Sequence, residues 1–171
     1  MLGFSSNFPA DGSSKDIRGK LETMPVGMPV EKKMSWISSN YGERILEDEE
    51  GRKTYDFHSG IDIAIEEGSP VKSMALGLVV YAGIEGNYGN VVKIDHEDGY
   101  RTVYAHLRKI SVPQGACVKR GKRIAEVGST GRVLGTHLHL EVQQWDDCLR
   151  KYVSRDPIGY ITAKPPVLFK F

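Results

Sequence analysis

The stretch "GTHLHLEV", residues 135–142, is the starting point for the fold, because polar and apolar residues alternate along it. In a β-strand, successive side chains point to opposite faces. One face of this strand would carry His137, His139 and Glu141, and the other Leu138, Leu140 and Val142. The leucine face is suited to a core. The histidine face either meets water at the edge of a sheet or has a chemical role.

Composition and charge narrow the possible partners. The chain has 171 residues, of which 40% are hydrophobic, enough for one ordinary core with an additional segment. The formal net charge of +1 gives no basic surface for nucleic acid and favours a neutral or zwitterionic substrate. No run approaches the roughly 20 apolar residues of a membrane span. We expect a monomer without a nucleic-acid partner.

The chain divides into three segments by composition. Residues 1–35 begin with a stretch rich in Ser, Gly, Asp and Lys and are predicted to form a flexible arm or linker, with order starting near residues 24–30. Residues 36–162 form the predicted domain, and residues 163–171 a C-terminal tail. The first residues lack the apolar region of a secretory signal, so we expect either a cytoplasmic protein or one without its leader.

Short β-rich runs dominate the sequence from residue 61 onward. They are separated by Gly, Pro and Asn, and they read "IDIAI", "LGLVVYAG", "NVVKID", "RTVYAHL", "KRIAEVG" and "HLHLEVQ". Helical periodicity is weak and limited to residues 43–50. The pattern predicts a mainly β protein, either a sandwich or a folded-over antiparallel sheet.

The two cysteines, Cys117 and Cys148, are too few for a disulfide scaffold and lack the spacing of a zinc knuckle. They either form one bridge in an oxidising compartment or are two unrelated buried thiols. We favour the unrelated thiols.

Histidines outside the first stretch also have informative neighbours. His58 and Asp62 lie four residues apart with Gly60 between them, and a glycine bend would let both side chains aim at one point. This pattern alone is common by chance. His106 follows an alternating strand and is expected where that strand ends. His96, in the turn-like "DHEDGY", is expected to be a solvated loop residue.

Taken together, these residues fit a metal-dependent hydrolase. A catalytic zinc site takes three protein ligands of N, O or S type and keeps one position open. His58, Asp62 and one of His137 or His139 supply such a set. The remaining histidines could then move protons during hydrolysis.

The order of seven motifs resembles that of the lysostaphin-type zinc metallopeptidases, the M23 or LytM-domain family. The similarity covers residues 36–162. The motifs are "SSNYGER" (38–44), "FHSGIDIA" (57–64), "GSPVKSMALGLVVYAG" (68–83), "YGNVVKIDH" (88–96), "YRTVYAHL" (100–107), "VKRGKRIAEVGSTG" (118–131) and "GTHLHLEV" (135–142).

The resemblance implies a role for each site residue. His58, Asp62 and His139 correspond to the family's Zn²⁺ ligands, and His106 and His137 to its two catalytic histidines. The implied fold is an antiparallel β-sheet or sandwich of the duplicated hybrid motif type, with a groove over the zinc site. Candidate groove contacts, which could equally be turn or surface residues, are Asn40, Tyr41, Arg44, Asn87 and Tyr88.

The implied activity is hydrolysis of peptide bonds in the stem or cross-link of bacterial peptidoglycan, in the periplasm or cell envelope. The ends of the similar region are "SSNYGER" and "SRDPIGYI" (154–161). They resemble envelope endopeptidases of Gram-negative bacteria more than secreted staphylolytic enzymes. A D-alanyl to diaminopimelyl bond is therefore the preferred substrate. The family also has non-catalytic members that activate other cell-wall hydrolases, which is the alternative.

Overall fold

The computed structural model of the chain describes residues 22–47 and 50–163. The strands in chain order are β1 Trp36–Ser39, β2 Gly42–Glu47, β3 Lys53–His58, β4 Ile61–Ala64, β5 Pro70–Lys72, β6 Gly77–Glu85, β7 Gly89–Asp95, β8 Tyr100–Ala105, β9 Leu107–Ile110, β10 Cys117–Val118, β11 Arg123–Val127, β12 His137–Asp146 and β13 Lys151–Arg155. A short helix, α1, spans Ile158–Thr162, and 3-10 turns span Lys32–Met34, Gly86–Tyr88 and Glu97–Gly99. The prediction of a mainly β fold is confirmed.

Three antiparallel sheets organise these strands. The largest sheet has eight strands in the order β1-β4-β12-β8-β7-β6-β10, with β13 also paired to β12. A second sheet has the order β5-β11-β9, and β2 and β3 form a separate ribbon. Strand β12 therefore lies inside the large sheet, with β8 on one side and β4 and β13 on the other. The interpretation of β12 as a solvated edge strand is wrong.

The hydrophobic core contains side chains from both larger sheets. Leu138 and Leu140 of β12 are fully buried and belong to the same cluster as Val71 of β5 and Ile124 of β11. Each such side chain stabilises the fold by about 1.5–3 kcal/mol through removal of apolar surface from water. The predicted apolar face of β12 is thus a core face, which directs His137, His139 and Glu141 to the opposite side of the sheet.

Part of the segment expected to be an arm lies against this core. Val26 and Val30 are buried, with exposed fractions of 7% and 5%, and Val30 belongs to the main core cluster. The Gly27 amide donates a hydrogen bond to the Tyr160 carbonyl. Residues 22–30 therefore pack onto the body of the molecule. Residues 1–21 of the predicted arm and residues 164–171 of the predicted tail lie outside the described residues.

Two local expectations from the sequence are wrong. Residues 42–47 form strand β2, paired in register with β3, so the weak helical pattern of residues 43–50 does not produce a helix there. Cys117 and Cys148 are free thiols, but both are exposed rather than buried.

No helix in the described part of the chain has the length and apolar content needed to cross a bilayer.

Candidate metal and catalytic site

A short bend holds the first two predicted ligands close together. Strand β3 ends at His58 and β4 begins at Ile61, and the chain bends at residues 59 and 60 while it continues along the partner strands β2 and β1. A Cβ at Gly60 would overlap the backbone carbonyl of Leu140. Glycine is therefore required at residue 60 because this bend lies directly against the backbone of β12.

Strand register brings the third predicted ligand to the same place. His139 of β12 pairs with Asp62 of β4, and residues paired across strands have their side chains on one face. His139 Nδ1 lies 2.9 Å from Asp62 Oδ1. His58 Nε2 lies 3.1 Å from His139 Nδ1 and 3.2 Å from Asp62 Oδ1. One ligand atom from each of these three side chains lies within 4.8 Å of the others, so the group could hold a metal ion.

The outer contacts of the two imidazoles orient them for this role. His58 Nδ1 lies 2.7 Å from the Asn40 carbonyl, so it donates and leaves the lone pair of Nε2 for the cluster. His139 Nε2 lies 3.1 Å from Glu141 Oε1 and can donate there, which leaves Nδ1 for the cluster. A metal-binding histidine usually has its second nitrogen bonded in this way. The donor set of two imidazole nitrogens and one carboxylate oxygen fits zinc.

The electrostatics of the cluster favour a positive charge. Burial raises the pKa of Asp62, but hydrogen bonds from His139 and His58 outweigh burial and hold that pKa below its usual range. Burial lowers the pKa of His139, but hydrogen bonds to Asp62 and Glu141 outweigh it and raise the pKa to about 9. The cluster therefore retains a proton in the absence of a metal, and a metal cation would replace that proton.

The other two predicted site histidines lie beside this cluster. The rings of His106 and His137 are 4.8 Å apart between centroids, and the rings of His106 and His139 are 5.8 Å apart. His137 Nε2 lies 3.6 Å from Asp62 Oδ1. Thus the structure brings all five predicted residues together.

Each of these histidines has one nitrogen tied to the backbone. His106 Nδ1 lies 2.9 Å from the Thr130 carbonyl, and His137 Nδ1 lies 2.9 Å from the Gly135 carbonyl. Carbonyls only accept hydrogen bonds, so both Nδ1 atoms carry hydrogen and both Nε2 atoms are available. Burial, opposed by the Thr130 hydrogen bond, lowers the pKa of His106 and keeps the ring neutral to lower pH.

His106 is held in an uncommon backbone conformation. It lies between β8 and β9, as expected for a residue where a strand ends, and its φ is 59°. Its amide donates a 2.9 Å hydrogen bond to the Tyr88 carbonyl. The Thr130 hydroxyl donates to the Leu107 carbonyl and accepts from the Asn90 amide. These bonds fix a conformation that costs a non-glycine residue about 1–3 kcal/mol.

His96 has a different environment from the one expected. It is 5% exposed, and its nitrogens contact the Leu76 carbonyl and the Thr102 hydroxyl at 2.9 and 2.8 Å. Burial lowers its pKa to about 4. The expectation of a solvated loop residue is therefore wrong, because strand β8 supplies the Thr102 hydroxyl and Leu76, the residue before β6, supplies a carbonyl.

The candidate groove residues mostly have internal partners. Asn40 supplies its carbonyl to His58, and Tyr88 donates its hydroxyl hydrogen to Glu141. The Tyr41 hydroxyl bonds to Ser154, and Arg44 pairs with Asp56. The Asn87 carbonyl accepts a hydrogen bond from the Arg132 amide. Substrate contact by these residues stays a prediction.

Comparison with known proteins places the chain in a family. The profile of Peptidase family M23 matches residues 56–154, more than half of the chain. DD-carboxypeptidase/endopeptidase Mpg of Neisseria meningitidis is 47% identical over 90 residues, which cover 53% of this chain and 21% of Mpg. Peptidoglycan DD-endopeptidase ShyB of Vibrio cholerae is 40% identical over 114 residues, which cover 67% of this chain and 26% of ShyB.

A solved structure gives the same result. A zinc-containing peptidase from Vibrio cholerae superimposes with a TM-score of 0.66 and 34% sequence identity, covering 85% of this chain and 41% of that one. The chain spans about a fifth of the length of Mpg and about a quarter of the length of ShyB. The profile match includes His58, Asp62, His106, His137 and His139, and on these grounds the chain belongs to peptidase family M23.

Proposed function

We propose that this chain is a zinc-dependent endopeptidase that hydrolyses peptide bonds of bacterial peptidoglycan. The observation that carries the proposal is the position of His106 and His137, whose rings lie beside the His58–Asp62–His139 group. A purely structural metal site would not require two further imidazoles of this kind. The name of ShyB as a peptidoglycan DD-endopeptidase supports the same substrate class.

The proposed zinc ligands are His58 Nε2, Asp62 Oδ1 and His139 Nδ1. Three protein ligands with an open position are typical of catalytic rather than structural zinc sites. Zinc in such a site lowers the pKa of a water molecule toward ~7 and polarises a carbonyl.

His106 and His137 are the proposed catalytic residues. Because their Nδ1 atoms donate to backbone carbonyls, Nε2 is the atom that would accept the proton of the attacking water. The same nitrogen can then protonate the leaving amine. A ring whose Nε2 has taken up a proton has an N–H that would donate to the developing oxyanion, and either of the two rings can fill this role.

The preferred bond is a D-alanyl to diaminopimelyl cross-link, and the proposed location is the periplasm or cell envelope. The DD-endopeptidase and DD-carboxypeptidase/endopeptidase names of two relatives support a cross-link substrate. The net charge of +1 is compatible with a zwitterionic peptide. A monomer is sufficient, because all five site residues come from one chain.

Digestion of purified peptidoglycan with product analysis by mass spectrometry tests this proposal. We expect cross-linked muropeptides to be converted to monomers with a new diaminopimelyl amine. Products that result from cleavage elsewhere in the stem peptide would show that the D-alanyl to diaminopimelyl bond is not the one hydrolysed. No product from a zinc-loaded, folded protein would favour the alternative role, a non-catalytic activator of other cell-wall hydrolases.

A further inference from the structure

We propose that Glu141 is a positioning residue for the metal site, where its carboxylate selects the metal-facing nitrogen of His139 and joins the segments that carry the site. This inference rests on the proposed zinc site. Glu141 lies two residues beyond His139 on the same face of β12, opposite Val103 of β8.

The carboxylate of Glu141 is completely buried and fully hydrogen-bonded. Its Oε1 atom lies 3.1 Å from His139 Nε2, 2.5 Å from Ser59 Oγ and 2.6 Å from the Tyr88 hydroxyl. Its Oε2 atom lies 2.6 Å from Gln143 Nε2. An ionised carboxylate only accepts hydrogen bonds, so all four partner atoms donate.

These bonds determine the orientation of His139. With its hydrogen on Nε2, the neutral ring has its lone pair on Nδ1, which is the atom 2.9 Å from Asp62. The other tautomer would place a lone pair against the Glu141 oxygen and leave a buried acceptor without its donor. Losing such a bond costs about 1–3 kcal/mol, so the contact with Glu141 favours the tautomer that offers Nδ1 to a metal ion.

The same oxygen also connects separate parts of the site. Ser59 directly follows His58 at the bend after β3, and the Tyr88 carbonyl accepts the amide hydrogen of His106. A displacement of Glu141 would therefore change the positions of His139, of His58 through Ser59, and of His106 through Tyr88.

The charge of Glu141 has a further consequence for the metal. Ser59, Tyr88 and Gln143 are neutral donors, and the ion pair of Glu141 is with His139. A buried carboxylate is costly unless a positive charge compensates it. Glu141 and Asp62 together supply two negative charges around the cluster, which balance a divalent cation.

Zinc affinity of two Glu141 variants tests this role. We expect Glu141→Met, which removes the acceptor, to weaken zinc binding about 100-fold, and Glu141→Gln, which keeps a weaker neutral acceptor, about tenfold. Zinc alone is titrated into metal-free protein against a chromogenic chelator, and circular dichroism reports the folded fraction.

Gln143→Ala is the matched control, because it removes a hydrogen bond from Oε2, the Glu141 oxygen that does not contact His139. Its zinc affinity should change by less than about threefold. Equal affinities for wild type, Glu141→Gln and Glu141→Met would overturn the inference while leaving the proposed function intact. Failure of the wild type to bind zinc would instead overturn the proposed function.

A measurement on the wild type covers the case in which the Glu141 variants do not fold. Long-range ¹H–¹⁵N NMR of the zinc-loaded protein should show a hydrogen on Nε2 of His139 and zinc on Nδ1. Zinc on Nε2 of that residue contradicts the inference.

Discussion

His139 and His96 are equally buried histidines, each 5% exposed, but they have opposite electrostatic character. His139 lies between the carboxylates of Asp62 and Glu141, whereas His96 contacts a carbonyl and a hydroxyl. Burial lowers the pKa of both rings, yet that of His139 is raised to about 9 and that of His96 is lowered to about 4. The charge of the partners, rather than burial, distinguishes a histidine suited to bind a cation from a neutral structural one.

The largest predicted effect is at the first of these two residues. His139→Ala removes a proposed zinc ligand, so zinc affinity should fall by about three orders of magnitude or more, and hydrolysis of cross-linked muropeptides should become undetectable. The comparison variant is His96→Gln, which should bind zinc as the wild type does. Metal analysis after dialysis measures both. Stoichiometric zinc in His139→Ala would contradict the assignment of His139, and not His96, as a zinc ligand.

His106 provides the next largest effect, because it is proposed to transfer protons without binding the metal. His106→Ala should keep its zinc and lose hydrolysis by about 10² to 10⁴. The positive φ of His106 makes His106→Gly a useful control, since glycine adopts this conformation without strain. Both variants should be equally inactive. Recovery of activity in the glycine variant would assign the loss to backbone strain instead of the missing imidazole.

The lowered pKa of His96 predicts that the free energy of unfolding depends on pH. Its folded-state pKa of about 4 lies below the ordinary value of 6.5, so the unfolded chain binds more protons between these values. The contribution of neutral His96 to the free energy of unfolding is fully present above pH ~6.5. It decreases as the pH falls and is smaller by about 3 kcal/mol near pH 4.

Urea unfolding of metal-free wild type and His96→Gln from pH 7.5 to 4.5 measures this contribution. We expect the variant to be less stable at pH 7.5 and to show a shallower loss toward acid. Parallel pH profiles for the two proteins would show that His96 is not held neutral in the fold.

The alternation of residues 137–142 was enough to predict both faces of β12, because side-chain direction in a strand has a period of two residues. The same alternation did not separate His137 from His139, since both are on one face. Their difference depends on register with β4 and on which nitrogen meets Gly135 or Glu141, contacts that come from the fold. The family resemblance supplied these roles, which remain proposals.

The environment of His96 and the strand at residues 42–47 were not predictable from local sequence for a similar reason. Leu76 and Thr102, which cover His96, are 20 and 6 residues away. Strand β2 is stabilised by pairing with β3, whereas its own sequence has only weak periodicity. Tertiary contacts therefore determine both features.

The central claim is that one zinc ion at the His58–Asp62–His139 group enables this chain to hydrolyse peptidoglycan cross-links. Reconstitution of metal-free wild type with increasing zinc, with hydrolysis of soluble cross-linked muropeptides measured at each addition, tests it most directly. Hydrolysis should be absent without metal, rise in proportion to added zinc, and level off at one zinc per chain. Full activity in the metal-free protein, or bound stoichiometric zinc with no hydrolysis, would contradict the account.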